Sequence, residues 1–256
     1  MSHQRRLLFE NANNFRDLGG FATPDGTTAW GKLFRTETLR YLSEADWQKL
    51  KGLGVRTLID LRGEKEAAEN PVNAPEDFTY VNMPLMSSRG KGGDYPGNDA
   101  DASGKKDFVA SLLVPYSDIF ANGLPAPAAV LNRITDALEE GGAAFFCSAG
   151  KDRTGITAAA ILTLCGAARE DIIADYIVTS VFNSVPDRGV YPKLTRDMHL
   201  EASAVGSGSF AALLESKAEA IEDLLDYFEE NDLPKILSAN GFSCERQAEL
   251  IGKLVE

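Results

Sequence analysis

Histidine, cysteine, positive charge and long apolar runs are all scarce in this chain. Two histidines occur in 256 residues, His3 and His199, so a histidine metal cluster is not expected. The three cysteines, Cys147, Cys165 and Cys244, have neither metal-ligand spacing nor a disulfide pattern. No run of about 18 apolar residues exists, which argues against a transmembrane segment. The first ten residues carry two arginines but no apolar stretch, so no conventional signal peptide is expected. A reducing, cytoplasmic setting fits this cysteine usage. Lysine and arginine number 26 against 38 acidic residues, a formal net charge of −12, which disfavours nucleic acid and anionic membranes as partners. Internal repeats and domain linkers are missing too. The expectation is one domain over residues 1–256, with 44% hydrophobic residues to fill one core.

What is present centres on Cys147-Ser148-Ala149-Gly150-Lys151-Asp152-Arg153-Thr154-Gly155. The apolar run Gly142–Phe146 before it reads as a buried strand. Ile156 to Cys165, apolar nearly all round and rich in alanine, reads as a buried helix closed by Gly166. A tight loop between strand and helix gathers backbone N–H groups at a helix N-terminus, a ready anion site. It also holds one thiol and, six positions on, one guanidinium. A thiolate at such a position is a strong nucleophile, and arginine can grip two oxygens of a phosphate. A lone cysteine at a strand end is usually a small core residue. The polar Lys-Asp-Arg-Thr run between two buried elements favours anion binding instead. A nucleotide P-loop is excluded because Asp152, not Ser or Thr, follows Lys151.

Taken in order, Phe21 to Phe34 with Asp25-Gly26 at its middle predicts a hairpin. Arg16 and Asp17, before the Gly19-Gly20 pair, read as a surface turn with an ion pair. Ser43 to Asp46 resembles a capping box opening a helix to about Leu53, stopped by Gly54. Val55–Leu61 and Tyr80–Leu85 read as strands, the first ending in Asp60-Leu61-Arg62. Residues 87–107 form a long loop. Its Asp99 and Asp101 imitate a calcium loop, but Ala110 stands where that loop needs Glu. A helix runs from Pro125/Pro127 to Glu140, another from Arg169 to Ser180, and two more over about 211–230 and 244–255. Residues 184–209 form a second insertion. Helix followed by apolar strand is the rhythm of an α/β fold with a mostly parallel sheet flanked by helices.

At this point the sequence resembles the bacterial tyrosine-type and phosphoinositide phosphatases with a Lys-Asp-Arg loop. The resemblance rests on Cys147 through Gly155 and on Asn14-Phe15-Arg16-Asp17-Leu18-Gly19-Gly20 upstream. Phe34-Arg35-Thr36, Asp60-Leu61-Arg62, Asp171 to Tyr176 and Gly241-Phe242-Ser243 add weaker matches in the family's order. It spans about residues 12–255 and implies a single-domain cysteine-phosphatase fold acting without metal or cofactor. The substrate implied is a phosphorylated protein or a phosphoinositide. Cys147 is then the nucleophile and Arg153 the clamp. Ser148, Ala149, Gly150, Lys151 and Asp152 line the phosphate, and the Thr154 hydroxyl donates to the sulfur, or else caps the helix. Asp152 is the expected general acid, with Asp60 and loop residues Asp94, Asp99, Asp101 and Asp107 as competitors. Asp60, Arg62 and Arg16 support the loop, Asp60 most simply as the ion-pair partner of Arg62. Lys151 is read as a second cation for polyphosphorylated substrates, or else as pointing outward to a carboxylate. One departure stands out: the family's histidine before the nucleophile is Phe146 here. A weak phosphate-binding module and a rhodanese-like sulfurtransferase are the alternatives.

Overall fold

A computed structural model describes residues 3–85, 115–121, 125–184 and 215–256. Strands β1 (Arg16–Asp17), β2 (Ala22–Thr23), β3 (Gly26–Thr27) and β4 (Leu33–Thr36) come first. Helix α1 (Glu44–Gly52) leads into β5 (Val55–Asp60), and α2 (Glu64–Glu69) precedes β6 (Thr79–Asn82). Helices α3 (Asp118–Ala121) and α4 (Ala126–Glu140) lie ahead of β7 (Gly142–Phe146), which turns into α5 (Asp152–Leu164). Helices α6 (Arg169–Asn183), α7 (Ala218–Asn231), α8 (Leu233–Ala239) and α9 (Cys244–Leu254) follow.

The main sheet has the order β1-β4-β7-β5-β6, so the apolar run before Cys147 is its central strand. β4, β7, β5 and β6 are mutually parallel, and β1 is an antiparallel edge. All five residues of β7 are buried, as a parallel strand covered on both faces requires. Alternation along it divides the core. Ala143, Phe145 and Cys147 face the layer formed by α4 to α9, while Ala144 and Phe146 face Phe15, Phe34, Leu39, Trp47 and Leu58. The register aligns Thr36, Phe146, Asp60 and Asn82 at the carboxyl ends of four parallel strands. The loops leaving those ends converge at one edge, where open α/β sheets bind ligands.

The capping box at Ser43 is formed: its side chain accepts from the Asp46 N–H, and Asp46 accepts from the Ser43 N–H, both at 3.2 Å. Two expectations need correction. The long hairpin shrinks to the two-residue pair β2–β3, because β4 pairs with β1 and β7 instead. Arg16 and Asp17 are buried rather than a surface turn, and Arg16 pairs with Asp175 across the fold. α2, α3 and α8 have no counterpart among the sequence expectations; all three are short, and none has an apolar period long enough to read. The insertions at 87–107 and 184–209, with the loop aspartates and His199, lie outside the described residues apart from Ser184. Among the described residues no helix is long and apolar enough to cross a membrane.

Candidate active site

Cys147 follows the last residue of β7 and is buried, and α5 begins five residues later at Asp152. The loop between them is shaped from behind. The Thr38 N–H donates to the Ser148 carbonyl (3.1 Å). Asn14 Nδ2 and Asn183 Nδ2 donate to the Ala149 carbonyl (3.2 and 3.1 Å). Asn14 Nδ2 and Arg35 Nη2 donate to the Gly150 carbonyl (3.3 and 2.9 Å). Three consecutive carbonyls are thus turned away from the loop's front. Peptide planarity then sends the N–H groups of Ala149, Gly150 and Lys151 the opposite way, which makes an anion nest. Gly150 permits this path: its φ is +65°, and a Cβ there would lie 2.5 Å from the Thr36 carbonyl oxygen.

The bracing residues are themselves held by buried charge. Asp175 on α6 accepts from Arg16 Nε (2.9 Å) and Arg35 Nη1 (2.6 Å), and all three are nearly sealed from solvent. Burial alone would raise the Asp175 carboxyl, but the two guanidiniums outweigh it and hold the group at about 2. Burial draws Arg16 down to about 10 despite Asp175, which still leaves it charged at neutral pH. Glu37 accepts from the Asn13 and Asn14 N–H groups (2.7 and 2.9 Å), fixing the turn that carries Asn14.

In front of the nest, Arg153 meets a residue the sequence reading passed over. Glu66 on α2 takes Arg153 Nη1 at 2.7 Å and Nη2 at 3.2 Å and also accepts from the Ser148 hydroxyl. Burial works against the Glu66 charge, yet Arg153 and Ser148 bring its carboxyl down to about 2. The guanidinium has five N–H donors, so three remain for an anion. Burial likewise opposes the Arg153 charge, but Glu66, Cys147 and Asp152 around it secure the proton.

The other expected residues fall as follows. Asp60 is fully buried and bidentate with Arg62 (Nε 2.9 Å, Nη2 2.7 Å), and Tyr80 donates to it at 2.6 Å. It is therefore the ion-pair partner of Arg62. Lys151 is buried, not outward, with Nζ 3.3 Å from Asp152 Oδ1. Asp152 sits at the first position of α5 and also accepts from the Tyr116 hydroxyl. Thr154 is fully buried, but among the described residues its hydroxyl has no hydrogen-bond partner. The expected donation to sulfur is thus not made here, nor does Thr154 cap α5. Cys165 is buried, and burial pushes its thiol up to about 12, so it is core.

Phe146 belongs to the apolar layer on the face opposite Cys147, with the Arg62 guanidinium carbon 5.8 Å from its ring centroid. An imidazole would meet hydrocarbon on most sides there. Phe146→His is expected to lower stability by about 1–3 kcal/mol, read as a drop in melting temperature. A variant as stable as the parent would show that the layer accepts a polar ring.

Glu66, Asn14, Arg35, Asp175, Asn183 and Tyr116 were not assigned roles from sequence. Asn14, Arg35 and Asp175 lie inside stretches that carried the resemblance, which was the available signal. Glu66 is one of three glutamates within six residues of α2, and nothing local separates it from Glu64 and Glu69.

The family described as the tyrosine phosphatase family matches residues 7–256. A candidate tyrosine-protein phosphatase of Cupriavidus necator is 30% identical over 181 residues, covering 70% of this chain and 64% of that protein. A tyrosine-protein phosphatase of Nostoc commune is 33% identical over 148 residues, 57% of this chain and 47% of its own length. The triple specificity protein phosphatase PtpB of Mycobacterium tuberculosis is 27% identical over 201 residues, 68% of each chain. The chain thus spans less than two thirds of the first two relatives.

Proposed function

The chain belongs to the tyrosine phosphatase family, and from that premise we propose that it hydrolyses phosphomonoesters, foremost phosphotyrosine in proteins, through a phosphocysteine. The observation that carries the reading is the bracing of the Ser148, Ala149 and Gly150 carbonyls. It supports a nest of N–H groups preformed between thiol and guanidinium, with little reorganisation left for the reaction. The sulfurtransferase alternative is at odds with the family, and bracing this extensive argues against a weak binding module.

In the first step the Cys147 thiolate attacks phosphorus in line. The S–P bond forms as the P–O bond to the leaving group breaks, and protonated Asp152 gives that oxygen its proton. The nest and Arg153 take the equatorial oxygens. In the second step Asp152, now a carboxylate, removes a proton from water as it attacks phosphorus, and the thiolate departs. Glu66 keeps Arg153 in one orientation throughout. The phosphoinositide reading leans on the charge of Lys151, which is partly neutralised by Asp152 at 3.3 Å. Phosphotyrosine is therefore the first substrate to test.

Leaving-group dependence tests the role of Asp152. Asp152→Asn should lower kcat/KM for phenyl phosphate by about 10²–10⁴-fold. With p-nitrophenyl phosphate, whose leaving group departs unprotonated, the loss should be far smaller. Equal losses would assign the defect to loop geometry and remove Asp152 as the acid. Activity is expected to persist in excess chelator; a loss restored by a divalent metal would overturn this mechanism.

A further inference from the structure

Asp152 is not held by the phosphate loop alone. Tyr116, just ahead of α3, donates its hydroxyl to Asp152 Oδ1, and the Tyr176 hydroxyl on α6 lies 2.8 Å from that of Tyr116. Both tyrosines are buried, at 8% and 2% exposure, and their rings meet edge to face with centroids 6.2 Å apart. The loop's sequence accommodates this arrangement: a Cβ at position 155 would lie 2.7 Å from the Tyr176 ring, so Gly155 is what lets the ring reach α5. We propose that Tyr176 and Tyr116 form a two-hydroxyl chain that orients Asp152 as an acceptor, making both tyrosines positioning residues for its proton steps.

The direction of the chain follows from donor counting. An ionised carboxylate only accepts, so Tyr116 must give it its one proton. The Tyr116 oxygen can then accept from Tyr176, and every hydroxyl proton has a partner. Protonation of Asp152 at Oδ1 would turn Tyr116 toward Tyr176, and among the described residues the Tyr176 proton would then have no acceptor. The chain therefore keeps Oδ1 as an acceptor and leaves Oδ2 to carry the proton given up in the first step and to draw one from water in the second. Burial first, and then the nearby Asp152 charge, raises both phenols above their ordinary value, so they remain donors. Other charged groups around Asp152 are Lys151 at 3.3 Å, Arg153, whose proton Asp152 helps to secure, and Cys147 at the start of the loop. Arg35 on β4 acts on Tyr176.

This inference rests on Asp152 acting in both steps, and its test separates the two ideas. Burst kinetics with p-nitrophenyl phosphate resolve phosphocysteine formation, which needs no acid for this leaving group, from its hydrolysis. Tyr116→Phe is expected to slow hydrolysis about tenfold or more, the loss expected for one hydrogen bond to a charged group, while the burst rate stays near that of the parent. Tyr176→Phe should act in the same direction but more weakly, since it reaches Asp152 only through Tyr116. In an Asp152→Asn background, Tyr116→Phe should cause no further slowing. Equal slowing of both steps, or a full additional loss in the double variant, would overturn the chain while leaving Asp152 in place. No slowing of hydrolysis in Asp152→Asn itself would overturn both. Parent-like vanadate affinity marks an intact loop; if Tyr116→Phe fails that control, Tyr176→Phe decides the question.

Discussion

Cys147→Ser is expected to abolish turnover, with kcat falling about 10⁴-fold or more, as when a nucleophile is removed from a cooperating set. Phosphate and vanadate binding should survive. The nest is built by Thr38, Asn14, Asn183 and Arg35 acting on carbonyls, and none of these contacts involves the sulfur. Titration of the variant with vanadate, beside a steady-state assay of the parent, measures both halves. Retained turnover would remove the phosphocysteine, whereas lost binding would mean that the thiol is needed to shape the loop. Arg153→Lys should cost about 10²–10³-fold, because a single ammonium cannot meet both Glu66 oxygens and grip a phosphate at once.

Asp175→Asn should produce the largest loss of stability. Asp175 is the shared partner of Arg16 and Arg35, and an amide in its place leaves two guanidiniums buried against a neutral group. Breaking a buried ion pair in this way costs about 3–5 kcal/mol. Chemical denaturation at neutral pH reads it directly, and an unchanged midpoint would mean that the cluster contributes nothing net. The pH dependence has a definite sign. The folded carboxyl titrates at about 2, below its unfolded value near 4. Its contribution is therefore complete above about pH 4 and is lost as the pH falls toward 2. Glu66, also brought down to about 2, loses its contribution over the same acid range. Asp175→Asn should flatten that part of the stability curve. Because Arg35 also braces the Gly150 carbonyl, residual folded enzyme should lose activity as well, by about 100-fold for a displacement of an ångström in the loop.

The sequence by itself determined the buried strand before Cys147, the glycine-bracketed polar loop that carries Cys147 and Arg153, and the buried helix behind it. Those features are local. A fully apolar five-residue run, a polar loop with its glycines and a buried alanine-rich helix state their roles through periodicity and backbone need. The capping box at Ser43 was legible for the same reason. Only the tertiary structure decided what surrounds the loop. Glu66 reaches Arg153 across 87 positions, Asp175 reaches Arg16 across 159, and Asn14 reaches Gly150 across 136. A carboxylate or amide carries no local mark of a partner so far along the chain. The same holds for Tyr116 and Tyr176, which a sequence presents as two ordinary core aromatics 60 positions apart. Secondary structure follows from neighbours in the chain, whereas the charges and hydroxyls that tune a site meet only where parallel strands bring their carboxyl ends to one edge.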